Sequence, residues 1–457
     1  MAEGVGLARR WRGHLDRAAR QSPARLTLGV FAAVIGLVAL MLSAPWATST
    51  GQRAPLVVAL FTATSATTVT GLVVVPTGSY WSGWGLAVIL LAIKVGGLGV
   101  MTLASLLGLA VSRRVGLTQR LLVTSETHFN RLGEVGSLLR TVVVVSTSLE
   151  LGIAVVLAAR FRVEGQDWGP SAWHGLFYAV SAFNNAGFVP TVDGLAPYVS
   201  DWWVLAPLII GVFIGSLGFP VILDVRRRPR RPRRWTLHTK LTLTASLVLL
   251  VAGSVLVAAF EWTNPHTFAP LSANGTALAS LFAGVMPRSG GFSTIDVGQM
   301  HEGTWLLMDA LMFAGGGSAS TAGGIKVTTL AVMMLAIIAE ARGDRDVEAF
   351  GRRIPREALQ IAIAVVFVSA TLVLTCSLLL LAMTGLSLDV VLFEVISAYA
   401  TCGLSTGVTA TLPDAAKLVL VALMFIGRTG TMTLAAALAL RNRRRVIRFP
   451  EERPIIG

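Results

Sequence analysis

One phrase recurs along this chain of 457 residues and limits what it can fold into: a phenylalanine, a serine four residues later, and a glycine six after that. It reads Phe61, Ser65, Gly71, then Phe177, Ser181, Gly187, then Phe393, Ser397, Gly403. A degenerate copy keeps Phe282 and Gly291. Leu72, Phe188, Phe292 and Leu404 follow the four glycines. The glycines stand about 110 residues apart, an internal period that must be read before any local structure. Each phrase lies between two long apolar stretches. The expected fold is an all-α integral membrane protein. Four tandem repeats of helix, pore helix, filter strand and helix (M1-P-M2) surround a pore with pseudo-four-fold symmetry.

Composition supports the membrane assignment. The chain is 54% hydrophobic and 14% charged, with a mean hydropathy of +0.71. A soluble domain carries about 25% charged residues. Crossing the hydrocarbon core as a helix takes about 20 apolar residues. Residues 26–44, 86–111, 138–159, 203–223, 241–260, 358–383 and 415–440 meet that length, and 305–339 does so with a glycine-rich middle. The pore segments, 54–66 and 171–183 among them, are too short to span and read as re-entrant half-helices.

The net charge of +14 invites a nucleic-acid reading, but its distribution argues against one. Lys and Arg concentrate at 9–25, 113–140, 226–240, 342–356 and 441–453, so every second loop is basic. That is the positive-inside pattern, and it places both termini in the cytoplasm. Asp167, Asp193, Asp201, Asp296 and Glu302 fall on the opposite side. The expected order is a cytoplasmic basic N-terminus (1–25), repeat one (26–111), a cytoplasmic linker (112–137) and repeat two (138–225). A basic linker (226–236), repeat three (237–339), a linker (340–357), repeat four (358–440) and a cytoplasmic C-terminus (441–457) follow. The linkers are too short and too poor in apolar residues to fold alone. The basic start and apolar run of the first 44 residues look like a signal peptide, but the repeat needs its outer helix there. Cys376 and Cys402 both lie in membrane segments, so no disulfide framework is implied.

The filter segments are Thr68-Val69-Thr70-Gly71, Asn184-Asn185-Ala186-Gly187, Arg288-Ser289-Gly290-Gly291 and Ala400-Thr401-Cys402-Gly403. Extended backbone at membrane depth survives only inside protein or along a wet cavity. A cation in a narrow pore sheds water, and backbone carbonyls can replace it. Aligning them needs an unusual backbone turn, which glycine permits. The pore helices would aim their partly negative C-termini at the ion. The bland alternative is four helix-packing glycines among the 46 in the chain, and the shared offsets weigh against it.

These phrases resemble the Trk/Ktr/HKT superfamily of potassium transporters, most closely its KtrB branch, the membrane subunit of bacterial Ktr uptake. So do Gly96-Gly97-Leu98-Gly99, the run 317–326 and Phe425-Ile426-Gly427-Arg428-Thr429-Gly430. The resemblance implies potassium as substrate at the filter residues. Gly71 fits this, because sodium-selective plant members tend to carry serine there. Cys402, and Ser289-Gly290 in place of a more usual threonine-alanine pair, are departures. The resemblance also implies a gating loop at 314–324, with Gly315, Gly316, Gly317, Ser318, Ser320, Thr321, Gly323 and Gly324, closed by Lys326 near the cytoplasmic surface. Five glycines in eleven residues cannot hold a helix interior. Arg428 falls deep in the last helix, where an arginine usually marks function. In the family it projects toward the pore, where it would contact the loop and repel cations. Lys94, Glu150 and Glu394 are embedded without an assigned role.

No enzyme chemistry is expected. No phosphate-binding loop is visible, and the histidines at 14, 128, 174, 238, 266 and 301 are scattered. The resemblance implies no cofactor in this chain and a homodimer in membrane lipid. Its partner would be a KtrA-like cytosolic regulatory ring that binds ATP or ADP, with sodium as a possible activator. The alternatives are a TrkH-like or sodium-permeable relative, or an ion-coupled secondary transporter of a small solute.

Overall fold

The computed structural model describes residues 23–114 and 133–440. The expected N-terminal segment up to residue 22, the centre of the first linker and the C-terminal segment 441–457 lie outside the described residues. What is described is mostly helix. The first group is α1 (Pro23–Leu42), the short α2 (Leu56–Thr67) and α3 (Gly83–Arg114). The second is α4 (Gly133–Val163), the short α5 (Trp168–Phe183) and a broken pair, α6 (Trp202–Leu217) and α7 (Phe219–Arg227). The third is α8 (Leu237–Glu261), the short α9 (Ala273–Val285), and α10 (Glu302–Phe313) with α11 (Val327–Arg342). The last is α12 (Arg356–Thr384), the short α13 (Leu388–Tyr399) and α14 (Asp414–Leu440).

In each group the short helix packs along the preceding long one, α4 on α5 and α8 on α9 most extensively. Side chains start several of these helices. The Asp201 carboxylate accepts from Trp203 N at 2.8 Å, Thr236 Oγ1 from Thr239 N at 3.2 Å, and Ser272 Oγ from Gly275 N at 3.2 Å. Each satisfies an amide that the first helical turn leaves unpaired.

The outer surface is apolar. On α12, Ile363, Phe367, Leu374 and Leu378 form one stripe, 52%, 71%, 61% and 59% exposed. The opposite face buries Ser369 and Ser377, and Ser369 Oγ accepts from Tyr399 Oη at 2.5 Å. Apolar side chains outside and polar ones inside are the arrangement lipid demands. By length and hydropathy, α8, α12 and the 140–163 stretch of α4 each qualify as spans, and α6 with α7 qualify as a bent pair.

That bend corrects the expectation of one continuous helix over 203–223. The two helices meet at 98°. Gly218 sits at φ 91°, ψ 149°, and Pro220 behind it cannot continue the α6 hydrogen-bond ladder. The freed amide of Phe219 donates instead to the carbonyl of Ala319 at 3.2 Å. The 305–339 stretch divides as expected, with α10 ending at Phe313 and α11 starting at Val327.

Glycines let the long helices touch the short ones. A Cβ on Gly96 would strike the carbonyl of Thr67, on Gly215 that of Phe183, and on Gly427 that of Tyr399. Small residues at such crossings allow close backbone approach. The 340–357 linker carries a small hairpin. Its strands β1 (Glu348–Ala349) and β2 (Arg352–Arg353) pair antiparallel through a turn with Phe350 at φ 53° and Gly351 at φ 72°. Two positive φ values are the requirement of a tight turn whose twist matches its strands. Lys240 Nζ lies 5.8 Å from the centre of the Phe350 ring.

Candidate functional site

Each short helix runs into one of the predicted filter segments, and the backbone explains the recurring serine. Ser65 O accepts from Thr70 N, and Ser181 O from Ala186 N, both at 2.8 Å. Ser397 O accepts from Cys402 N at 2.9 Å. The hydroxyls finish the turn: Ser65 Oγ and Ser397 Oγ accept from Gly71 N and Gly403 N at 3.1 Å, and Ser181 Oγ donates to Phe188 O at 2.9 Å. The third copy is one residue shorter and has Met286 where the serine would be. There Met286 O receives both Gly290 N at 2.7 Å and Gly291 N at 3.3 Å, so a shared carbonyl does the work of the missing hydroxyl.

The four segments share a backbone feature the sequence did not reveal. Val69, Asn185, Ser289 and Thr401, each two residues before its glycine, have φ of 57°, 60°, 79° and 46°. Gly71, Gly187, Gly291 and Gly403 also have positive φ, between 69° and 98°. Non-glycine residues hold such conformations at a cost of about 1–3 kcal/mol, met by the surrounding structure.

The glycines face one another. A Cβ on Gly71 would strike the carbonyl of Ala186 and lie 3.2 Å from Gly187 Cα. One on Gly187 would lie 2.9 Å from Gly291, and one on Gly291 would strike the carbonyl of Cys402. One on Gly403 would strike the carbonyl of Thr70 and lie 3.0 Å from Gly71 Cα. The contacts run from segment one through two, three and four and back to one. Thr68, Thr70, Asn184, Ala186, Ala400 and Cys402 are buried around this ring, and the Cys402 thiol points at Pro287 O, 3.3 Å away. The Arg288 backbone belongs to segment three, whereas its guanidinium lies over the Phe213 ring at 5.5 Å. None of its nitrogens has a hydrogen-bond partner among the described residues.

The glycine-rich loop lies against these segments. A Cβ on Gly323 would strike Thr401 Oγ1, and one on Gly324 would lie 3.1 Å from Ala400 Cα. Gly317 N donates to Ser216 O at 2.7 Å and Val327 N to Gly316 O at 2.9 Å. Within the loop, Ser320 Oγ donates to Gly317 O at 2.6 Å, and Ser318 Oγ lies 3.1 Å from Thr328 Oγ1. A Cβ on Gly315 would lie 2.8 Å from the carbonyl of Gly323. Buried Arg428 donates through Nη1 to the carbonyl of Thr321, while its Nε and Nη2 have no partner among the described residues. Lys326 closes the loop, donating through Nζ to Ala322 O at 2.7 Å. A carbonyl left bare by the broken helix supplies the reason, since a buried acceptor needs a donor.

The three embedded charges without an assigned role also find places. Lys94 Nζ lies 2.5 Å from Glu150 Oε2, and Glu150 Oε1 accepts from Asn184 Nδ2 at 2.8 Å. The pair thus holds the first residue of segment two. Glu394 accepts from Ser405 Oγ at 2.6 Å, Thr406 N at 2.9 Å and Thr409 Oγ1 at 2.5 Å, fixing the strand that leaves segment four. Removing one member of a buried pair leaves the other charge uncompensated, at about 3 kcal/mol. Lys94→Met is expected to lower stability by that amount, and Lys94→Met with Glu150→Gln to recover most of it. Thermal unfolding of the three proteins in detergent checks this.

An apolar exterior around four buried glycine segments that close on one another, with a glycine-rich loop against them, is the build of an integral membrane protein. The chain belongs to the TrkH family of cation transport proteins, whose profile matches residues 29–443. Ktr system potassium uptake protein B of Bacillus subtilis (strain 168) is 38% identical over 436 residues, covering 95% of this chain and 96% of that protein. The protein of the same name from Vibrio alginolyticus is 36% identical over 447 residues, covering 97% of each. Among solved structures, the potassium transporter TrkH from Vibrio parahaemolyticus shares the fold. Its TM-score is 0.69 at 18% identity, covering 89% of this chain and 84% of that one.

Proposed function

We propose that this chain takes up potassium through a gated, selective pore, as the membrane subunit of a Ktr-type complex in the bacterial plasma membrane. The ring of four glycines, each preceded two positions earlier by a left-handed residue, carries the reading. Alternating backbone handedness turns successive carbonyls to one side, where they substitute for the water a potassium ion sheds. The sixteen residues of the four segments form the filter in this reading. The four helix–pore-helix–filter–helix repeats surround it, and the basic linkers and both termini face the cytoplasm.

The loop 314–324 is the gate. Arg428 ties it shut and adds a positive charge beneath the filter, and Lys326 closes the loop's own turn. Membrane potential supplies the work. One charge moving through 100 mV gains about 2.3 kcal/mol, against about 1.4 kcal/mol for each tenfold gradient. Accumulation by tens-fold therefore needs no chemical reaction in this chain. A pore of this kind would leak if left open, which gives the gate its purpose. The names of the Bacillus and Vibrio relatives speak of a Ktr system, and a KtrA-like nucleotide-binding ring docked on the cytoplasmic linkers of a homodimer completes this reading. Potassium uptake by purified chain in liposomes, under an imposed inside-negative potential, tests it. Uptake that follows the potential with no co-solute is the expected result; uptake that needs a second solute would contradict it.

A further inference from the structure

Ser289 makes two hydrogen bonds that no other filter side chain combines among the described residues. Its hydroxyl donates to the carbonyl of Thr401 in segment four at 2.8 Å, and its oxygen accepts from Gly323 N in the gating loop at 3.2 Å. The residue is 1% exposed and held at φ 79°. A second contact joins the same loop to segment two, where Thr321 Oγ1 lies 3.3 Å from Phe183 O and 3.2 Å from the Asn185 carboxamide. Among the described residues segment one has no such tie: Thr68 Oγ1 donates to Thr64 O at 2.7 Å and sits 2.7 Å from Thr70 Oγ1, within its own turn.

We infer that the Ser289 hydroxyl couples the gate to the filter, so that loop position sets how tightly the filter holds potassium. This rests on the pore reading above. An N–H donated to a hydroxyl oxygen polarises it and strengthens the bond it donates onward. With the loop in place, Gly323 N therefore braces Ser289, and Ser289 braces the Thr401 carbonyl. A loop that swings away takes Gly323 N with it, and the Thr401 carbonyl loses its fixed orientation. Coupling of this kind is reciprocal: a potassium ion in the filter must favour the closed loop by the same factor.

The test is a double-mutant cycle read by potassium titration of thermal unfolding in detergent, since an ion that binds only the folded protein raises its melting temperature. Arg428→Gln releases the loop, and Ser289→Ala removes the coupling hydroxyl. With Ser289 present, Arg428→Gln is expected to raise the half-saturating potassium concentration by about tenfold, within the usual range of such couplings. In the Ser289→Ala background the same change is expected to have less than about a twofold effect. Ser289→Thr keeps the hydroxyl and should restore the full shift. Ser289→Cys keeps the volume with a weaker donor and should behave as Ser289→Ala, so it stands in if the alanine variant does not fold. An equal shift from Arg428→Gln in every background overturns the coupling. A wild-type melting temperature that ignores potassium would overturn the pore reading itself, which separates the two failures.

Discussion

Gly71→Ser is expected to lower the preference for potassium over sodium by tenfold or more. Two physical effects act together. Gly71 has φ 95°, where an L-residue is strained by about 1–3 kcal/mol. Its new Cβ would also run into the carbonyl of Ala186, with Gly187 Cα 3.2 Å away. Segment one must retreat or push segment two, and either movement changes the size of the carbonyl ring. A difference of about 1.4 kcal/mol between two ions is already a factor of ten. Competitive uptake of rubidium and sodium into liposomes measures the ratio. Gly51→Ser is the control, because Gly51 shares the positive φ, at 71°, with nothing within 4 Å of its added Cβ. Equal loss of selectivity in both variants would mean that backbone strain in general, and not the ring, is responsible.

Arg428→Gln is expected to raise potential-driven potassium flux through the chain alone by about tenfold, the size of a typical coupling free energy. The arginine is 2% exposed and its Nη1 holds the carbonyl of Thr321, the point where the loop meets segment two. Glutamine keeps one donor but shortens the reach and removes the charge. Burying a guanidinium is costly, so its loss relieves a burden on the folded state and leaves the helix able to form. Flux assays on liposomes at matched protein density check the prediction. A variant with unchanged or lower flux, and an unaltered melting temperature, would show that the arginine holds something other than a gate.

The spacing of the phrase announced the short helices and their glycines because each glycine has to meet a neighbour's backbone. Local sequence could not say that the residue two positions earlier is left-handed, since Val69, Asn185, Ser289 and Thr401 have no one side-chain type in common and none is glycine. Their conformation is imposed by the turn that Ser65, Ser181, Met286 and Ser397 close. The break at Gly218 was hidden for a similar reason. An apolar run with one glycine and one proline reads as a kinked span, and only the loop at Ala319 gives the freed amide of Phe219 a partner. Lys94 and Glu150 stand 56 residues apart, so their pairing appears only once α3 and α4 are side by side. The positive-φ turn at Phe350 and Gly351 lay in a linker too polar to suggest strands.

Potassium-selective passage through a passive pore is the central claim, and the potential at which net flux vanishes tests it most directly. Purified chain carrying Arg428→Gln, in liposomes with set internal and external potassium, would be clamped with an ionophore while rubidium tracer is followed. The account predicts a reversal potential that moves about 59 mV for each tenfold change in the potassium ratio, the one-electron-charge value, and does not respond to sodium or to any solute gradient. A smaller slope that recovers when a second solute gradient is added would contradict it and make the chain a coupled transporter.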